Sequence, residues 1–368
     1  MSTPIDHPYK WNENETIMVF GRKNQLVGLD IGSRTIKVAE AVETKKGWAL
    51  KKFGSIEVSP GIIEEGVIKD AEAVAEAIRE LFSLYNVRQS NVAISIGGYS
   101  VIVKNITVQN MPEDQLYESL NFEAEQYIPF DINDVNIDFE VLGESEANPN
   151  QMNVLLVAAK KEMVNDYVNI IDMAGLNLCI IDNDAFALQN IYELNYPATG
   201  ENIALIDIGA GKTSLNILKD NTSVFMRDVS LGCNQINQNI ASMANCTMAE
   251  AESLKLAEKP DRISAEDLDE VISSVVTDWC NEIRRALDFF YSTNPEDQIK
   301  QIVLSGGGAN IKQFRDLLAV QTAAEVSMIN PFEVFEIKGD HLDPNYVQQI
   351  APQAAICMGL AIRRVDDK

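Results

Sequence analysis

Two aspartates 177 positions apart, Asp30 and Asp207, stand at matched points of an internal echo. LVGLDIGSRTIKVAE (26–40) and IALIDIGAGKTSLNIL (203–218) both read as an apolar strand, Asp-Ile-Gly, a small polar turn, Thr and a second strand-like run. Each spells a β-hairpin with a carboxylate at its mouth. Glycine lets a backbone approach an oxyanion, and successive turn N–H groups form an anion-binding nest. A carboxylate beside such a turn suits a hydrated Mg²⁺ that bridges phosphates. Two facing hairpins would grip a polyphosphate from both sides. Gly32, Ser33, Gly209, Gly211 and Thr213 would act through N–H or hydroxyl groups, and Arg34 and Lys212 through charge. Asp30 and Asp207 would hold the metal through water. One DIG triplet alone is an ordinary turn; its recurrence carries the reading.

A third element, IVLSGGGANIKQFRDLL (302–318), reads as strand, glycine triplet and amphipathic helix. Gly306, Gly307 and Gly308 would let the backbone lie against a flat base or ribose, although a helix entry loop explains a lone triplet equally well. GAGKT (209–213) imitates the tail of a P-loop, but the glycine required five residues before its Gly-Lys pair is replaced by Ile206. The P-loop reading fails.

The elements that must position these residues alternate between strands and helices. Residues 71–85 put Val74, Ile78, Leu81 and Tyr85 on one helical face behind a capping Asp70. A long helix over 265–291 carries Leu268, Ile272, Val275, Trp279, Ile283 and Phe290 as its stripe, with Ser264 and Asp267 at its start. Between them NIDFEVL (136–142) alternates as a half-wet strand. The fold class is α/β, with a small α+β module inserted at about 91–177. Loops are expected at 143–151, 195–201 and 292–298, and a mobile extension over 1–17.

Composition narrows the function. The 368 residues carry 55 acids against 30 bases, a net charge of −25 that repels nucleic acid and anionic lipid. The two histidines, His7 and His341, make a histidine metal site or a Ser/His/Asp triad improbable. Five scattered cysteines form neither a disulfide framework nor a zinc site. No apolar run reaches the roughly 18 residues of a membrane helix, and no signal segment opens the chain.

The order hairpin, hairpin, glycine loop resembles the actin/Hsp70/sugar-kinase superfamily, over about 26 to 365. DIGSRT resembles its first phosphate motif, IDIGAGKTS the second and VLSGGGANI its adenosine motif. CIIDNDAFALQNIY (179–192) and QQIAPQAAICMGLAIRR (348–364) resemble its connecting segments. Within the superfamily, MVFGRKNQLVGLDIGS (18–33) and FEAEQYIPFDINDV (122–135) are similar to the PilM family of actin-like type IV pilus assembly proteins. The resemblance implies a two-lobed actin-like ATPase fold: a first lobe over 18–90, 178–200 and 346–368, and a second over 201–345.

It also implies ATP with Mg²⁺, and ribose or adenine contacts at Glu282 and Arg285. The superfamily places its water-orienting group where this chain has Asp182, Asn183 and Asp184, a departure from the usual Gln or Glu that implies slow turnover or none. The family's groove between first lobe and module holds an N-terminal cytoplasmic peptide of the inner-membrane protein PilN; Tyr127, Ile128, Pro129 and Phe130 are the candidates here. That implies a cytoplasmic adaptor recruited to the inner membrane through its partner and not inserted itself, with pilus motor ATPases as further partners. A cell-division relative of the FtsA type and a sugar-kinase-type phosphotransferase are the alternative readings. FtsA usually ends in an amphipathic membrane helix, which CMGLAIRRVDDK does not supply.

Overall fold

The computed structural model describes residues 25–64, 66–145, 148–257, 262–337, 343–365 and 367; the expected extension over 1–17, His7 and His341 lie outside them. β1 (Val27–Ile31), β2 (Thr35–Thr44) and β3 (Gly47–Glu57) form an antiparallel meander. A ribbon of β4 (Ile63–Glu64) and β5 (Val67–Ile68) leads into α1 (Ala71–Leu84). Asp70 caps that helix, accepting from Ala73 N–H at 3.0 Å, and Val74, Ile78 and Leu81 are buried as their spacing requires. β6 (Asn91–Ile96) then returns parallel to β1.

An excursion follows: β7 (Val101–Gln109), α2 (Glu113–Ala124), β8 (Val135–Ser145) and β9 (Asn148–Lys160), with β9 central in a three-stranded sheet. α3 (Lys161–Met173), β10 (Asn177–Asn183) and α4 (Asp184–Asn195) complete the first lobe and leave it. The second lobe runs through β11 (Asn202–Ile208), β12 (Thr213–Lys219), β13 (Thr222–Val229), α5 (Asn234–Ala244) and α6 (Met248–Leu256). It continues with α7 (Ala265–Thr293), β14 (Ile299–Ser305), α8 (Lys312–Thr322) and β15 (Glu325–Met328). β16 (Glu336–Ile337) and α9 (Pro344–Ala361) close the chain.

The two large sheets share one plan. Their orders, β3-β2-β1-β6-β10 and β13-β12-β11-β14-β15, are each a meander followed by two parallel strands, and β16 extends the first beside β3. The echo between the two aspartates is therefore the visible part of a repeated unit. Several boundaries differ from the sequence reading. β6 sits between β1 and β10, and α3 buries Met163, Ile170 and Ile171 in the same core as Val74 and Ile78. The inserted module thus narrows to β7–β9 with α2, whose own core holds Ile106, Leu116, Leu120, Val154 and Leu156. β16, inside the span given to the second lobe, pairs with β3 of the first. Most of the expected loop at 143–151 is strand, and alternation along 136–142 ends where the register slips between Val141 and Gly143.

α4 and α9 lie between the lobes. Ala187 and Leu188 of α4 and Ala354 and Ala355 of α9 pack with Ala39 and Leu50 from one sheet and Leu205 and Val303 from the other. Here small residues are obligatory. A Cβ on Gly359 would stand 1.8 Å from the Ala187 carbonyl oxygen, and one on Gly28 2.2 Å from that of Cys357. Backbones meet directly at the pivot. Gly359→Ala is expected to destabilise the chain by about 3 kcal/mol, the upper end of ordinary overpacking, because a rigid carbonyl cannot yield. Gly307→Ala, with nothing within 4 Å of its Cβ, should stay within about 0.5 kcal/mol of the native chain in urea unfolding.

Candidate functional site

The hairpins β1–β2 and β11–β12 have the same register. Ile31 pairs with Ile36 and Ile208 with Thr213, which sets Asp30 opposite Lys37 but Asp207 opposite Ser214. Gly32 N–H donates to Thr35 O at 3.1 Å and Gly209 N–H to Lys212 O at 2.9 Å, so the same bond closes both turns. Lys212 thus corresponds to Thr35, and Thr213 to the buried Ile36; the sequence echo of threonines is one place out.

This geometry corrects several assignments. Thr213 is buried and its hydroxyl donates to Leu231 O at 2.8 Å, leaving no hydrogen for a phosphate. The N–H groups of Gly32 and Gly209 are used in closing their turns, so neither points at an oxyanion. Arg34 reaches away, to Glu57 at 2.9 Å and the Val58 carbonyl at 3.4 Å, and braces the end of β3. The second turn is held from behind: Cys233 N–H and Asn234 N–H, at the start of α5, donate to the Gly209 and Ala210 carbonyls at 3.0 and 2.8 Å.

Asp30 is paired with Lys37 at 2.9 Å, both nearly withdrawn from water. Burial alone would lower the Lys37 ammonium, but the Asp30 charge and hydrogen bond outweigh it and hold the lysine above its ordinary value. Asp207 has no such partner. Its neighbours in the flanking strands are Ser214 and Ser305, and the Ser305 hydroxyl also meets the Pro352 carbonyl at 3.0 Å. Burial pushes the Asp207 carboxyl up to about 6, with Asp184 and Asp30 adding to the rise and Ser305 and Lys212 opposing it.

Asp182, Asn183 and Asp184 separate into three tasks. Asp182 is buried beside Arg363, 3.4 Å away, and burial raises its carboxyl despite that cation. Asn183 caps α4, accepting from Ala185 N–H at 2.9 Å. Asp184 bonds Lys212 across the lobes and accepts from the Ser95 hydroxyl. Burial works against its charge, yet Lys212 and Ser95 hold it below the usual carboxylate range.

The glycine triplet divides similarly. A Cβ on Gly306 would lie 2.3 Å from the Ile208 carbonyl oxygen and one on Gly308 2.3 Å from the Ile208 side chain, so both are needed for packing against the second hairpin. Gly307 alone faces open space. Glu282 and Arg285 are an exposed ion pair on α7, of a kind that contributes little. In the module, Ile128 belongs to the core, Tyr127 and Phe130 are half-buried against it, and the Lys160 ammonium stands 4.4 Å from the centre of the Phe130 ring. Only Pro129 of the four is exposed.

The sequence reading missed two pairs. One is Lys37. The other is Glu252–Lys255 on α6, at 2.7 Å and largely buried, with Asn237 Nδ2 donating to the same carboxylate. Burial pushes the nearby Cys233 thiol up to about 11, with Glu252 and Asp207 adding to the rise and Lys255 opposing it. Among the described residues, no three His, Cys, Asp or Glu side chains converge as a metal cage.

Residues 28–365 match the family described as type IV pilus assembly protein PilM. The chain belongs to the PilM family. It is similar to a solved chain described as the PilM-PilN type IV pilus biogenesis complex, at 28% identity and TM-score 0.82, covering 93% of this chain and 99% of that one. It also resembles the ethanolamine utilization protein EutJ from Carboxydothermus hydrogenoformans in fold, at 13% identity and TM-score 0.57, over 94% and 91% of the two chains. The fold is the actin-like one, and the match places the chain in the pilus branch among the readings its sequence left open. No helix among the described residues is long and apolar enough to cross a membrane.

The Asp207 environment makes a testable demand on this PilM-family chain. Its folded value, about 6, lies above the unfolded value of about 4, so the folded state binds more protons across that interval and stability falls as pH rises through it. Asp207→Asn should therefore raise the stability of the nucleotide-free chain by about 1–3 kcal/mol at pH 7.5, and by much less at pH 4.5. Melting curves of both proteins across pH 4.5–8 check the sign.

Proposed function

We propose that this chain is a nucleotide-binding adaptor of the type IV pilus assembly machinery. It takes ATP between its two hairpins and docks the N-terminal cytoplasmic peptide of a PilN-type inner-membrane protein between first lobe and module. The observation that carries the nucleotide half is the pair of hairpins in identical register, each closed by the same turn bond with an aspartate one residue before the glycine's neighbour. The residues fit the ligand. Asp207 is a buried carboxylate without a bonded cation, as a site for a water-linked Mg²⁺ requires, with Asp30 across the cleft already neutralised by Lys37. When bound, Mg²⁺ supplies positive charge that offsets the phosphates. The open side of Gly307 suits a flat base.

Turnover has less support. Asp182 and Asn183 are each committed to a partner within the fold, and in the nucleotide-free chain Asp184 is held by Lys212 and Ser95, so none stands ready to orient a water. We therefore expect binding with slow hydrolysis or none, and the same commitments weigh against a phosphotransferase. The peptide half rests on family membership and on the likeness to the solved PilM-PilN chain. It would also supply the link to the inner membrane, and from there to the motor ATPases.

Calorimetric titration tests both halves. The first dozen residues of the co-encoded PilN-type protein, as a synthetic peptide, should bind one-to-one with a Kd on the order of micromolar, about −8 kcal/mol. Failure to bind, with and without Mg·ATP, would remove the adaptor reading while leaving the fold intact. Mg·ATP should bind native chain and lose at least about tenfold in affinity with Asp207→Ala, a change of 1.4 kcal/mol or more.

A further inference from the structure

Three contacts join the second-lobe hairpin and strand β13 to the first lobe and the module entry, and one of them is an ion pair. Lys212 leaves the second-lobe hairpin and donates to Asp184 Oδ2 at the start of α4, following the first-lobe strand β10. Gly97, at the end of β6, makes room for this pair: a Cβ there would stand 2.5 Å from Lys212 Nζ and 2.7 Å from Asp184 Oδ2. Its neighbour Gly98, at φ +88°, donates its N–H to Asp228 Oδ2 on β13, and the Asp228 charge also acts on Lys212. Three residues on, β7 begins the inserted module, and Asn105 of that strand donates to the Ser223 carbonyl of β13 at 3.0 Å. One ammonium thus ties hairpin to connecting helix, packed against Gly97, while Asp228 and Ser223 of β13 hold the module entry beside it.

We infer that Lys212 is a phosphate-responsive latch. Bonded to Asp184 it pins the second lobe to the first lobe and to the Gly97–Gly98 junction; a polyphosphate entering the cleft takes over the ammonium and releases that junction, so the module that meets the partner senses the nucleotide. The inference rests on the nucleotide reading above. Its physical basis is competition. A triphosphate carries more charge than one carboxylate and lies beside the same turn, and once Lys212 turns to it Asp184 is left with Ser95 alone. A ligand shifts such an equilibrium only by its differential affinity for the two states, and Lys212 supplies the difference.

The competition fixes opposite signs for two variants. Asp184→Asn keeps an acceptor for Ser95 but removes the competing charge, so Mg·ATP and inorganic tripolyphosphate should bind about fivefold tighter or more. Lys212→Met should weaken both by about tenfold or more. Hydrogen exchange on the full-length chain reads the junction directly. Amides of Gly97–Gln109 should exchange faster when Mg·ATP is added to native protein, and should already be fast in Asp184→Asn without nucleotide. The native measurement needs no variant to fold. An Asp184→Asn chain that binds ATP no tighter, or junction protection indifferent to ATP in native protein, overturns the latch. Native protein that binds neither ATP nor tripolyphosphate overturns the nucleotide reading and the latch with it. Unchanged exchange in nucleotide-free Asp184→Asn removes the latch alone.

Discussion

The carboxylate of Asp207 is the constraint around which the cleft is built. Its counterpart Asp30 faces Lys37 across the first hairpin, but at the same register the second hairpin offers Ser214. Three buried carboxylates, Asp30, Asp184 and Asp207, therefore share two ammonium groups, and both are already bonded to other acids. An ionised carboxylate withdrawn from water is tolerable only with compensation. Two serines give Asp207 hydrogen-bonding neighbours but no charge. The folded chain consequently keeps a group that gains from an arriving cation, which is what the proposed Mg·ATP would bring.

The rest of the architecture holds this deficit in place. The second turn cannot relax, because its carbonyls accept from the start of α5 while the turn itself is closed by Gly209. Gly306 and Gly308 seat the third loop on Ile208, one residue from Asp207. Behind them α4 and α9 touch through glycine at the centre of an apolar core that both lobes share. Close-packed contacts of this type move between discrete arrangements more readily than they deform.

Much of this was legible in the sequence for local reasons. Strand, turn and cap signals are properties of adjacent residues, and β1, α1 and α7 follow from them with ends within a residue or two, while the strand before the glycine triplet begins three residues earlier than its apolar run. Lys37 was legible in principle: pairing Ile31 with Ile36 puts position 37 opposite 30. Counting that register also shows that Thr213 falls on the core side, which matching threonine to threonine conceals. The remaining errors have a common cause. The partners of Asp182 and Asp184 are fixed by which surfaces meet, and nothing in the local spelling records that Arg363 returns to β10 or that the i,i+3 pair of α6 is buried against Asn237. The module boundary was misplaced for the same reason, since β6 declares itself first-lobe only by pairing with β1.

The two lysines show how a repeated unit acquires separate roles. Positions 35 and 37 alternate onto the same face of the strand, and Lys212 stands where the first repeat has Thr35. Each repeat thus carries one lysine on the face of its aspartate, displaced by two residues. At the inner position, Lys37 bonds its own Asp30 within the hairpin. At the turn, Lys212 clears the strand and finds the other lobe. The Gly-Lys-Thr spelling that imitates a P-loop is therefore a strand entry with its lysine facing the cleft and its threonine facing the core. A side chain of β7 bonds β13 two strands from Asp207, so the module's sheet and the sheet that carries Asp207 touch at this edge.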